Sequence, residues 1–111
     1  MAVIVITETP GALLRSMKEA MRNGNVDTWS VDSDGDFTHT PAQWNKKAWF
    51  RPAVEEGRLV CRILTPQGQT MSRVVYGIYH GRFIEMLLTH FDTMFEDARA
   101  TALAQLGDVV G

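Results

Sequence analysis

The stretch AWFRPAVEEGRLVCRILTPQGQTMSRVVYGIY, residues 48–79, decides the fold. With Glu56-Gly57 as a two-residue hairpin turn, Phe50, Pro52 and Val54 fall opposite Ile63, Cys61 and Leu59, so one face of the hairpin is wholly apolar. The other face pairs Trp49 with Leu64, Ala53 with Val60 and Glu55 with Arg58. It also sets Arg51 against Arg62, which is unfavourable unless a carboxylate or a bound anion relieves the repulsion. A second turn at Gln67-Gly68, preceded by Pro66, predicts a third antiparallel strand running to Tyr79. That strand would carry Arg73 beside Arg62, giving a row of three arginines, Arg51, Arg62 and Arg73, across the sheet.

Outward from this sheet the pattern continues on both sides. Val3 to Thr7 is an unbroken apolar and β-branched run, the signature of a strand central in a sheet or buried on both faces. Thr9-Pro10 reads as a helix cap followed by proline at the first helical position, where its missing N–H is no loss. Leu13, Leu14, Met17, Ala20 and Met21 then recur at helical spacing, and Asn23-Gly24 ends the helix. For the hairpin between residues 27 and 40, a two-residue Asp34-Gly35 turn would mix polar with apolar on each face. A longer loop, with Gly35 in the left-handed position of a bulge, pairs Val31 with Phe37 and Trp29 with His39 and gives one coherent apolar face. Thr40-Pro41 repeats the cap-plus-proline signal, so residues 41–46 are expected to form a short helical turn that carries Trp44 toward the sheet.

After Tyr79, His80-Gly81 is expected to break the third strand. Ile84, Leu87, Leu88, Phe91, Phe95 and Ala98 trace a helical stripe beyond it. Residues 99–103 allow a helix continuation or a final strand, with the balance toward a short strand. Residues 107–111 should fray. The sum is a single domain over residues 1–111, an α+β two-layer sandwich whose mainly antiparallel sheet carries two helices on one face. The opposite face, with Trp49, Val60, Leu64 and Val75, is too apolar for plain solvent-facing sheet and is expected to bury itself in a dimer or hold a ligand.

Composition bounds the function without naming it. At 111 residues the chain is long enough to bury roughly two-thirds of its unfolded surface and needs no disulfide or metal to hold a core. A net charge of −2 disfavours general nucleic-acid or acidic-membrane binding, so an anion site would have to be local. No run reaches the ~20 apolar residues of a membrane span, and the first residues lack the basic segment and length of a signal peptide, so a cytoplasmic protein is expected. Cys61 falls on the apolar side of a strand and reads as a small buried hydrophobe.

No catalytic, metal or cofactor signature is found. Asp32, Asp34 and Asp36 invite a calcium reading, but Phe37 and Gln43 stand where an EF-hand loop needs glycine and glutamate, and turn formation explains the acids. Glu85 and His90 are five residues apart on the expected helix and point away from each other. An acid–base site rests only on His80 and Arg82 at the expected strand-to-helix junction beside Glu85. Trp44, Trp49 and Tyr79 are candidate walls of a ligand pocket. The leading expectation is a non-enzymatic binding or interaction module, homo-oligomeric, with a small anionic ligand or a protein as further partner. The alternative is a small enzyme, or an anion- or nucleic-acid-binding module using the arginine row.

Two segments carry a resemblance. Trp29-Ser30-Val31-Asp32 through Asp36-Phe37-Thr38-His39-Thr40-Pro41 with Gln43-Trp44, and Tyr79-His80-Gly81-Arg82-Phe83-Ile84-Glu85-Met86-Leu87-Leu88, resemble small uncharacterised bacterial proteins of the kind carried on mobile, integron-type gene cassettes. The resemblance covers roughly a quarter of the chain and implies a bacterial cytosolic setting, with no activity or catalytic residue to carry over.

Overall fold

A computed structural model describes residues 2–102. Its elements follow the chain as β1 (Ala2–Ile6), α1 (Pro10–Arg22), β2 (Trp29–Val31), β3 (Phe37–His39), β4 (Trp49–Glu55), β5 (Arg58–Leu64), α2 (Arg73–Phe91) and β6 (Asp97–Thr101). The strands form one sheet in the order β2-β3-β4-β5-β1-β6, with every neighbour antiparallel. Both helices pack on one face of it, so the chain is an α+β two-layer sandwich. No helix among the described residues is long and apolar enough to cross a membrane.

Alternation along the strands sends one set of side chains under the helices. Val3 and Val5 of β1, Phe37 of β3, Phe50 of β4 and Leu59, Cys61 and Ile63 of β5 meet Leu13 and Met17 of α1 and Tyr79, Phe83 and Leu87 of α2 in one core, all fully buried. Burial also pushes the Cys61 thiol far up, so it stays protonated and packs as an apolar group. The β4–β5 hairpin has the register that its faces dictate, from Trp49 opposite Leu64 to Glu55 opposite Arg58, with Gly57 at φ 73° in the turn. The β2–β3 hairpin likewise pairs Trp29 with His39 and Val31 with Phe37, closed by Gly35 at φ 83°. β1 lies between β5 and β6, with Val3 opposite Cys61 on one side and Ala100 on the other.

The third strand expected up to Tyr79 does not form. Residues 73–79 instead open α2, whose first turn is capped by Ser72 Oγ accepting the Val75 N–H at 3.1 Å. The inward residues Tyr79, His80, Phe83, Met86, Leu87 and Phe91 keep a helical period through the whole segment. Gly77 and Gly81 are accommodated within it, and Leu88, expected on the buried stripe, is 55 % exposed. Val75 therefore belongs to the helix layer and not to the open face of the sheet, and Arg73 leaves the arginine row. The helix ends at Phe91, so Phe95 and Ala98 lie beyond it, and the undecided segment is the strand β6 at residues 97–101. Residues 41–46 wind a single turn, held by the Trp44 and Asn45 N–H groups donating to Pro41 O, and do not make a helix. The expectation of a frayed end at residues 107–111 lies outside the described residues.

Candidate functional site

The sheet has one helix layer, and its other face is open. In register across β4, β5, β1 and β6 that face presents Trp49 and Leu64, then Arg51, Arg62, Ala2 and Thr101, then Ala53, Val60, Ile4 and Arg99, then Glu55, Arg58, Ile6 and Asp97. Arg51 and Arg62 do stand opposite each other, and carboxylates relieve the repulsion. Asp36, just before β3 and only 4 % exposed, accepts from Arg51 Nε at 3.0 Å and Nη2 at 2.8 Å, a two-point ion pair that holds the guanidinium charged. Glu55 accepts from Arg58 Nε at 2.8 Å and lies 3.6 Å from Arg62 Nη2. The bond to Arg58 holds the Glu55 carboxyl below its usual range. The arginines are thus tied down beside an apolar band of Trp49, Leu64, Ala53, Val60 and Ile4. Val60 is buried although no helix covers it.

A second feature lies on the helix side, at the far end of the sheet. Thr28, His39, Pro41, Gln43, Trp44, Arg82 and Glu85 line a cleft of about 270 Å³ between the β2–β3 hairpin, the turn after β3, and α2. A polar knot fixes its rim. Tyr79 Oη donates to Trp44 O, Thr38 Oγ1 lies 3.1 Å from Tyr79 Oη and donates to Ala48 O at 2.9 Å, and Lys46 N donates to Thr38 Oγ1 at 3.2 Å. These bonds stitch the turn at residues 41–48, which carries Trp44, to β3 and α2. One turn along α2, Arg82 Nη1 lies 3.1 Å from Glu85 Oε2.

His39 reaches the cleft from underneath. The ring is 4 % exposed, lies 4.7 Å from Trp29 between centroids, and bonds through Nδ1 to Thr28 O at 2.7 Å. Because a carbonyl only accepts, Nδ1 carries the hydrogen and Nε2 presents a lone pair. Burial lowers the His39 pKa; the Thr28 bond opposes this, Arg82 adds to it, and Glu85 opposes it weakly.

No family model, no curated protein and no solved structure matches this chain.

Of the residues singled out from sequence, the cleft gathers Trp44, Arg82 and Glu85. The others separate. Trp49, Arg51 and Arg62 are on the open face, Arg73 begins α2, and Tyr79 is wholly buried, serving the rim through its hydroxyl and not as a wall. His80 turns inward, with its ring 5.1 Å from Phe50 and Nδ1 2.7 Å from Tyr76 O, so it does not join Arg82 and Glu85. In sequence His39 can be grouped with His80, His90 and Glu85, but its place on the apolar face of the hairpin gives it a ready structural explanation, and only the fold brings it to Glu85.

The acidic loop is accounted for locally. Asp32 Oδ1 accepts the backbone N–H groups of Asp34 and Asp36, both at 2.9 Å, and Asp36 is engaged by Arg51. The three carboxylates come within 4.8 Å of one another as a consequence of that turn.

Proposed function

We propose that the protein is a non-enzymatic interaction module that self-associates through the open face of its sheet. The observation that carries this reading is the apolar band of Trp49, Leu64, Ala53, Val60 and Ile4 on the sheet face that no helix covers, half-buried except for the buried Val60 and flanked by arginines already matched to carboxylates. An apolar sheet face with its charges paired suits burial against a like surface better than capture of a free anion. The arginine row is not assembled, since Arg73 stands on α2. Light scattering in the micromolar range should give twice the chain mass, and Trp49→Glu should weaken association by about 2 kcal/mol or more, as expected when a central aromatic is replaced by a charge. A wild-type chain that stays monomeric at high micromolar concentration would sink the reading.

A second reading, a small-molecule site, is favoured by a specific observation: the cleft that brings His39, Trp44, Arg82 and Glu85 together. It is compatible with the first, because the cleft and the open face lie on different surfaces.

A further inference from the structure

The cleft has a chemical character that narrows what it takes. His39 supplies it with an acceptor held in place. His39 lines the cleft with its Nδ1–H fixed on Thr28 O, which leaves Nε2 as an acceptor with no partner among the described residues. A ligand N–H given to this acceptor inside the cleft makes a hydrogen bond in surroundings poorer in water than the bulk, where it is worth more.

Charge favours a neutral ligand over an ionic one. Arg82 and Glu85 neutralise each other on the α2 wall, so the site has little net charge. An anion approaching Arg82 would also meet the Glu85 carboxylate and the His39 lone pair, and a cation would meet Arg82. A neutral molecule with one donor and one acceptor meets no such conflict, because the donor faces Nε2 and the acceptor faces the guanidinium N–H groups of Arg82. Of the remaining walls Trp44 and Pro41 are flat and apolar, and Thr28 and Gln43 are polar and uncharged. A volume of about 270 Å³ lies at the small end of ligand sites, enough for a ring system and little more.

We propose that this cleft binds a small, flat, neutral nitrogen heterocycle that lies against Trp44, donates a ring N–H to His39 Nε2 and accepts from Arg82. The proposal rests on the cleft being a ligand site and is independent of self-association.

Benzimidazole is the probe, because it carries one N–H and one ring acceptor on a flat body; N-methylbenzimidazole, which lacks the donor, is its control. Titration at neutral pH is followed by the ¹⁵N resonance of His39 Nε2 and by tryptophan fluorescence. Benzimidazole should move the Nε2 resonance in the direction of an accepted hydrogen bond, and the methylated analogue should bind about tenfold or more weakly. His39→Phe, which keeps a ring in place, should bind both compounds equally. If that variant does not fold, the wild-type ring resonance still decides. Trp49→Glu should bind benzimidazole as wild type does, so loss of the dimer and loss of the ligand site are read separately. No Nε2 shift with millimolar benzimidazole, equal affinity for the two compounds, or tighter binding of benzoate than of benzimidazole would overturn the proposal.

Discussion

A histidine that faces inward from a hairpin gives up either its burial or its charge, and His39 gives up its charge. The ring stacks beside Trp29 and under the cleft, and desolvation favours the neutral form. In the unfolded chain the same residue titrates near its ordinary value, about 6.5. Between that value and the lower folded one, the unfolded chain binds a proton that the native chain does not, so acidification stabilises the unfolded state. Stability should therefore fall as pH drops below about 6.5 and stop falling through this group once pH is under the folded pKa. His39→Asn keeps a donor for Thr28 O but cannot titrate. Urea denaturation across this pH range should show a weaker acid dependence in the variant than in wild type, and identical slopes would mean that His39 is not the residue responsible.

At the scale of elements, turn chemistry and facial alternation determine what they should, and segments without them are ambiguous. In the β4–β5 hairpin, Gly57 at φ 73° takes a left-handed conformation that residues with a Cβ resist, and Thr7 N donates to its carbonyl at 3.2 Å. Gly57→Ala should cost about 1 kcal/mol in urea denaturation and Gly57→Asn less, because asparagine tolerates this region; equal stability of all three proteins would refute the argument. The registers of β2–β3 and β4–β5 were legible because a one-residue slip would have put Phe50, Cys61 or Phe37 on the wrong face. α2 was misread over its first two turns because Val74 and Val75 are β-branched and Gly77 and Gly81 look like breakers. Packing overrode those local preferences. A helix capped by Ser72 buries Tyr79 and Phe83 against Trp29 and Phe50, at ring separations of 4.6–6.3 Å, and turns the consecutive Tyr79 and His80 both inward, whereas a strand would have sent those two to opposite faces. The cleft was half legible for the same reason: Arg82 and Glu85 are neighbours on any helix, but only the true phase of α2 brings them over His39 and Trp44.

Across the whole molecule, the first strand of the chain is the one that completes the sheet. β1 pairs with β5 through Ala2 to Ile6 and, on its other side, with β6, so segments nearly a hundred residues apart are joined. Ala2 N donating to Thr101 Oγ1 and Thr7 Oγ1 donating to Met94 O close the two ends of that seam. With neighbours on both sides and Val3 and Val5 fully buried under the helices, the β1 amides can open only when the core itself comes apart. β6 has a partner on one side alone among the described residues, and Arg99 and Ala100 are exposed. Native-state hydrogen exchange should therefore find the amides of β1 and the central part of β5 among the slowest, exchanging together with a free energy near that of global unfolding. The β6 amides that point away from β1 should exchange many-fold faster. If β1 exchanged as readily as that edge, it would be a strand docked on a core that stands without it, and its central place in the sheet would not be what holds the two halves of the chain together.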